Sequence, residues 1–312
     1  MSVSRRFNLG EPDQTLGEGT VLFGGSGLLG PFILDAFPRI VSVGRTPPPT
    51  ANRHIAIESL ADLGCLDDLE FDKVIYIIGN TDHYAMDREV IPRGEPTAFD
   101  HHIIPFLQTM EQLKRYPISK VINFSTALIY DQERMSLPVS ERSPIDPYKS
   151  RYVFSKYLVE EAARFYSRWL PTITCRMCNL YGPTTLERFD LIHILLRQIL
   201  RTGRAQAWTD RPSRDFIYCE DAARAIVRLL YSDYVGVLVL GTGVKTPVRR
   251  VFDTIERVTG CPVEVLGRPV SGPEQFRADP TLLKSLIDWE PRFPIEQGIV
   301  RTYELMSAWS RP

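Results

Sequence analysis

Tyr152 and Lys156 stand four residues apart in the stretch YVFSK. On a helix that spacing brings a phenol and an ammonium out side by side on one face. Two hydroxyls, Ser125 and Thr126, close an apolar strand-like run in VINFSTALIY, and in open α/β sheets ligands gather at such strand ends. A third element is made of glycine. TVLFGGSGLLGPFI sets Gly24, Gly25, Gly27 and Gly30 between an apolar run and a helical pattern, satisfying G-x-G-x-x-G from Gly25 and G-x-x-G-x-x-G from Gly24. Such a turn lets backbone approach a pyrophosphate at the positive end of the following helix. The segment Gly24, Gly25, Ser26, Gly27, Leu28, Leu29 and Gly30 is therefore the expected cradle of a dinucleotide. Pro31 falls in the first helical turn, where its missing N–H costs little.

The second apolar run ends in VSVGRTPPPT, with Gly44 and Arg45 and no acid until Glu58. A carboxylate there would accept from the ribose hydroxyls of NAD, whereas an arginine suits the 2′-phosphate of NADP. NADP is the expected cofactor on this ground, with NAD as the alternative.

The elements that must position these residues alternate in type. TVLF (20–23), IVSV (40–43), HIAI (54–57), KVIYII (73–78), KVINF (120–124) and TITCRM (172–177) read as short strands, apolar on both faces. Helical patterns fall between them: a short one closed by Pro38, one at about 97–115, and one carrying Tyr152 to about Trp169. This alternation predicts an α/β fold with a doubly wound parallel sheet covered by helices on both sides. Beyond residue 178 the rhythm breaks. NLYGPTTLERFD reads as loop, LIHILLRQIL as helix, and RDFIYCEDAARAIVRLL as a short strand entering a helix. The rest reads as a smaller α/β lobe in separate segments.

Composition narrows the class. With 312 residues, 44% of them hydrophobic, the chain can bury a proper core, and a formal net charge of −1 marks no nucleic-acid surface or polybasic membrane patch. No apolar run approaches the ~20 residues that span a bilayer. The opening MSVSRRFNLGEPDQTLGEG lacks the apolar segment of a secretory signal, and residues 1–18 read as a loosely held polar lead-in. Five scattered cysteines suit a reducing cytoplasm. Cys175 and Cys178 spell C-x-x-C, but in a strand positions three apart face opposite sides, so both read as core thiols and no metal site is expected.

Glycine loop, strand-end hydroxyls and Tyr-x-x-x-Lys together resemble the short-chain dehydrogenase/reductase superfamily, in its extended branch of nucleotide-sugar epimerases, dehydratases and ketoreductases. The likeness covers roughly residues 19–305 and continues in RMCNLYGP (176–183), RDFIYCEDAARAI (214–226), LGTG (240–243) and WEPRFPIEQGI (289–299). It implies a Rossmann domain from 19–178 plus about 214–240, and a nucleotide-sugar-binding lobe from about 179–213 plus 241–312. It also implies a cytoplasmic homodimer paired through the helices near 100–115 and 152–169. By this resemblance Tyr152 is the acid/base on a sugar hydroxyl or carbonyl, and Thr126 hydrogen-bonds the reacting oxygen. Lys156 holds the nicotinamide ribose and lowers the phenol's pKa from about 10; Ser125 steadies the loop or cofactor. Asn179 would meet the substrate's pyrophosphate or sugar, and Arg214 its phosphates, a task suited to a planar guanidinium.

Departures from the family pattern are equally specific. Phe23 stands where a threonine is usual, and IGN (Ile78, Gly79, Asn80) replaces LAA after the fourth strand, Gly79 still permitting close approach to the cofactor. His102 occupies the place of the family's structural asparagine, either bracing backbone in its stead or simply packing. The later R-x-G-D phosphate element is absent, leaving Arg277 as a candidate without that spacing. Ala127 and Leu128 replace the acidic pair of a 4,6-dehydratase, the decarboxylases' glutamate is missing, and Leu128 stands where a 3,5-epimerising synthase has cysteine. What survives is chemistry needing only Tyr, Lys, Thr and hydride transfer. Reduction of an NDP-4-keto-6-deoxyhexose is the leading expectation, favoured by Arg45; 4-epimerisation by transient oxidation is the alternative, and a non-catalytic dinucleotide sensor the second.

Overall fold

The computed structural model describes residues 13–188, 190–269 and 272–310. Its strands are β1 (Thr20–Phe23), β2 (Val41–Gly44), β3 (His54–Ala56), β4 (Lys73–Tyr76), β5 (Lys120–Thr126), β6 (Thr172–Met177), β7 (Asn179–Tyr181), β8 (Ala205–Ala207), β9 (Ser213–Arg214), β10 (Phe216–Tyr218), β11 (Gly236–Leu240), β12 (Thr246–Pro247) and β13 (Val263–Val265). The helices are α1 (Gly30–Ala36), α2 (His83–Met86), α3 (Ala98–His101), α4 (Ile103–Leu113), α5 (Arg151–Tyr166), α6 (Leu191–Thr202), α7 (Cys219–Leu229), α8 (Val248–Thr259), α9 (Thr281–Leu286) and α10 (Ile295–Ser310).

Seven strands pair in parallel in the order β11-β6-β5-β4-β1-β2-β3, the doubly wound sheet expected. The order reverses between β1 and β4, and a crevice opens there beyond the strand ends. Alternation splits the core in two. Val21, Phe23, Val74, Tyr76 and Val121 face Phe106 and Met110 of α4 and Val159 and Ala163 of α5, while Leu22, Ile75, Ile122 and Ile173 belong to the core shared with α1 and α7. Burial on both faces is what the continuous apolar runs required. The segments after β6 form three two-stranded ladders, β10-β7, β12-β9 and β13-β8.

Three local expectations are corrected. The single helix over 97–115 is two, broken at His102, whose φ is −120° and ψ −68°. Pro105 has no N–H to offer the carbonyl of His101, and a capping box between Thr97 and Asp100 starts the first piece. Cys178 lies just past β6, so strand alternation does not apply to it, and both cysteines are buried, unpaired thiols in the same core. The polar lead-in falls outside the described residues over 1–12, but 13–18 is not loose. Asp13 N–H donates to the Ala36 carbonyl (2.9 Å) and Gly17 N–H to the Tyr231 hydroxyl (2.9 Å).

The irregular half is gathered by one buried carboxylate. Asp215 Oδ1 accepts from the N–H (2.9 Å) and hydroxyl (2.7 Å) of Thr242, and Oδ2 from the N–H of Gly243 (2.8 Å) and Ala278 (3.2 Å). Its carbonyl accepts from Asn179 backbone N–H (3.0 Å) and Nδ2 (3.1 Å). Asp215→Ala would leave four donors without their acceptor, and each buried orphan costs about 1–3 kcal/mol. The variant is expected to lose on the order of 3–5 kcal/mol, a change at the severe end for one substitution, read as a fall in melting temperature by circular dichroism. A drop of less than ~1 kcal/mol would show that the segments are held by other contacts.

Candidate active site

The glycine turn is built by close backbone approach. Gly24 has φ +90°, and a Cβ on Gly30 would sit 2.2 Å from the Gly25 carbonyl oxygen. Past the turn, a cleft of about 640 Å³ runs from Gly27, Leu28 and Leu29, over Gly79, Asn80, Ser125 and Thr126, to Tyr152, Lys156, Asn179 and Arg214. That size suits a drug-sized ligand or cofactor. Gly24, Gly25, Ser26 and Gly30 shape the turn without lining the cleft, and Gly44 and Arg45 lie outside it. Arg45 is exposed and meets no acid among the described residues.

Ser150 caps α5 by accepting from Val153 N–H at 3.2 Å, and the helix turns Tyr152 and Lys156 down into the cleft, 6% and 7% exposed. Burial pushes the Tyr152 phenol up to about 12; a hydrogen bond from Thr126 and the Arg188 guanidinium act the other way. Burial pushes the Lys156 ammonium down to about 8. The Lys156 Nζ donates to the Phe124 carbonyl at 3.3 Å. Thr126 Oγ1 also accepts from Leu128 N–H at 3.2 Å, which fixes its rotamer beside the phenol.

His102 is a brace. Its Nε2 meets the Asn80 carbonyl at 2.8 Å and its Nδ1 the Ser155 hydroxyl at 2.7 Å. A carbonyl only accepts, so Nε2 carries a proton, while Nδ1 and the Tyr152 carbonyl, each 2.7 Å from the Ser155 hydroxyl, share its single hydrogen. Burial, with Lys156 nearby, pushes the imidazole down to about 2, so the ring is neutral. Gly79 is packed between the two: a Cβ there would lie 3.0 Å from His102 Cδ2 and 3.3 Å from Lys156 Nζ. The loop after β4 is thus locked against α5.

A dinucleotide fits this arrangement. The turn has no room for side chains at Gly24 and Gly30, and Ser125 Oγ is buried in the cleft wall with no hydrogen-bond partner among the described residues. On the far wall Asn179 and Arg214 line the cleft; Arg214 Nη1 donates to the carbonyls of Ser213 (3.0 Å) and Pro273 and pairs with no acid among the described residues. Arg277 is not brought to the cleft; its carbonyl bonds Val139 N–H at 2.9 Å in the strap beside it.

One group escaped the sequence reading. Arg188 and Asp190 line the cleft, Arg188 Nε donating to Asp190 Oδ2 at 2.8 Å. Asp190 also holds Nδ1 of the buried His193, whose Nε2 meets the Gly182 carbonyl. Burial alone would raise the Asp190 carboxyl, but His193 and Arg188 hold it at about 2. The charged run LERFD, two residues after YGP, was the available signal.

Fold and cleft define a doubly wound dinucleotide-type α/β protein with a buried tyrosine and lysine in the cleft wall. The model of the NAD dependent epimerase/dehydratase family matches residues 21–239, and the chain belongs to that family. A putative UDP-glucose 4-epimerase of Methanocaldococcus jannaschii is 29% identical over 219 residues, covering 66% of this chain and 69% of that one. Other curated relatives are matched over about two thirds of their own length. Among solved structures, UDP-N-acetylglucosamine 4-epimerase from Methanobrevibacter ruminantium superposes with TM-score 0.82 at 22% identity, covering 95% of this chain and 100% of that one. UDP-glucuronic acid 4-epimerase from Bacillus cereus, complexed with UDP-glucuronic acid and NAD, gives 0.79 at 20%, covering 93% and 99%.

The neutral His102 sets the sign of one pH effect. Below about 6.5 the imidazole of the unfolded chain takes up a proton that the folded chain refuses until about pH 2, so stability falls as pH drops through that window. His102→Asn removes this loss. The melting-temperature gap between the wild type and the variant should narrow from pH 7 to pH 4; a gap independent of pH would mean the folded ring is protonated.

Proposed function

We propose that the protein is a nucleoside diphosphate sugar 4-epimerase that keeps NAD bound and oxidises C4 transiently. The observation that carries this reading is that, among the described residues, no carboxylate lining the cleft is left unpaired. Of the carboxylates lining it, Glu187 pairs with Arg197 and Asp190 with Arg188 and His193. Thr126 and Tyr152 are left to handle one hydroxyl, which suffices for oxidation and return at one carbon but not for eliminating water across two. The first expectation, reduction of a 4-keto sugar, gives way to its alternative: curated relatives and structural neighbours are named as 4-epimerases, and a neighbour carries NAD. An enzyme that returns the hydride each cycle has no need to exchange its cofactor.

In this reading residues 19–178 with about 214–240 hold the cofactor and the remaining segments the sugar nucleotide. Tyr152 takes the proton of the C4 hydroxyl and gives it back to the same oxygen as the epimeric alcohol forms, while Thr126 holds that oxygen. Lys156 holds ribose hydroxyls; Gly24 to Gly30, Gly79, Asn80 and Ser125 frame the cofactor, and Asn179 and Arg214 hold the pyrophosphate. Bound NAD supplies the acceptor for the C4 hydride. Arg45, free at the end of β2, is the residue that would instead favour NADP. Two copies would pair through α4 and α5, whose outer faces expose Ile104, Leu107 and Phe165.

The test incubates the purified protein with UDP-glucose, UDP-glucuronate or UDP-N-acetylglucosamine without added cofactor. One of them is expected to equilibrate with its C4 epimer, followed by proton NMR, and Tyr152→Phe should slow this about 10²–10⁴-fold. Stoichiometric NADPH loss on an NDP-4-keto-6-deoxyhexose, with no interconversion, would establish the reductase instead.

A further inference from the structure

The row that carries Tyr152 and Lys156 does not stop there. Glu160, one further turn along α5, is turned down with them and is 5% exposed. A buried lysine and glutamate four apart on one helix face are within reach of each other, yet Lys156 has no carboxylate at ion-pair distance among the described residues; its ammonium donates to the Phe124 carbonyl. Glu160 is held by Arg176 of β6. Arg176 Nε donates to Oε1 at 3.0 Å and Nη2 to Oε2 at 2.8 Å, a two-point grip on both carboxylate oxygens. The guanidinium is itself fixed, lying over the Tyr130 ring at 5.1 Å and donating from Nη1 to the Glu141 carbonyl at 3.4 Å. Its position follows from register, since Arg176 pairs with Ser125 in the β5–β6 ladder and shares the face of the sheet on which α5 lies.

We propose that Arg176 is a positioning residue for the reacting pair: by gripping Glu160 it prevents that carboxylate from capturing Lys156. Without Arg176, Glu160 is a buried carboxylate with the buried Lys156 one helical turn away on the same face. A Lys156–Glu160 pair would draw the ammonium down the helix, away from the cleft and the phenol, and would hold its proton more tightly. The other titratable groups around Lys156 do not compete for it. His102 is neutral, Tyr152 is a protonated phenol, and His83 packs against Tyr152 rather than the lysine.

The inference rests on the reading of Tyr152 and Lys156 as the reacting pair, so the test includes a readout that does not depend on turnover. Lysine ionisation is followed by NMR of protein labelled with 13C-lysine, the Lys156 signal being assigned with Lys156→Arg. Arg176→Gln is expected to raise the Lys156 midpoint from about 8 towards or beyond the ordinary lysine value of 10.5 and to lower kcat/KM roughly ten- to a hundredfold, the usual scale for a displaced reacting group. The double variant Glu160→Gln/Arg176→Gln, which leaves no lone charge, is expected to return the midpoint to about 8 and the rate to within about threefold of wild type. An ion pair that matters only for stability predicts a destabilised single variant whose folded molecules keep the Lys156 midpoint and kcat/KM of the wild type. An unshifted lysine in Arg176→Gln overturns the proposal, as does a folded double variant that stays impaired. Should the single variant not fold, the double variant decides by itself on the same two readouts. A wild type without turnover but with the predicted lysine shifts would refute the epimerase reading and leave this inference standing.

Discussion

Helix α5 turns Tyr152, Lys156 and Glu160, spaced four apart, down onto the sheet instead of out to solvent. Burial disfavours every charged form, so each of the three needs its own arrangement. The phenol stays neutral, moved up to about 12, and the ammonium is moved down to about 8. The carboxylate is gripped at both oxygens by Arg176. Burial therefore inverts the usual closeness of the two proton affinities, leaving a lysine that titrates well before its tyrosine. A phenol in that state is a proton donor first; it becomes a base only where positive charge is brought beside it, and Arg188 is a cation in the cleft wall already acting in that sense.

The walls of the cleft serve that helix in different ways. On one side the chain after β4 is locked by contacts that tolerate no extra atom, Gly79 lying against both His102 and Lys156. On the other, short ladders and loops have little regular structure of their own, and shared acceptors replace it. Asp221 plays there the part that Asp215 plays nearer the cleft. It takes the N–H groups of Arg292 (2.9 Å) and Phe293 (3.1 Å), while its carbonyl accepts from Trp289 Nε1 (2.9 Å). Buried carboxylates with every lone pair engaged specify geometry in a way that apolar contacts do not.

What could be read in the sequence was local in origin. The glycine turn, the strand-end hydroxyls and the Tyr-x-x-x-Lys pair each depend on neighbours a few residues away, so spacing alone placed them. The break at His102 was equally local, since Pro105 announces it, but the long apolar periodicity hid it. The function of His102 was not local: it depends on residues 80 and 155 meeting across the sheet. The Arg188, Asp190 and His193 group required knowing that the loop after β7 folds back over the cleft. Arg277 was misplaced for the same reason, because in a region of short ladders nothing in the spacing says which side chains turn inward. The split between reduction and epimerisation hung on Arg45, an exposed residue whose environment is solvent.

Asp215 has a consequence for how the chain reaches this form. Its partner at Ala278 is 63 residues away and that at Thr242 is 27, whereas β1 to β6 are complete before residue 178. The chain must therefore be made as far as Ala278 before this carboxylate has all its donors. During synthesis the sheet can assemble while the far wall is still without its fastening. Until then the carboxylate of Asp215 stays hydrated, and the cleft has a floor but only one side.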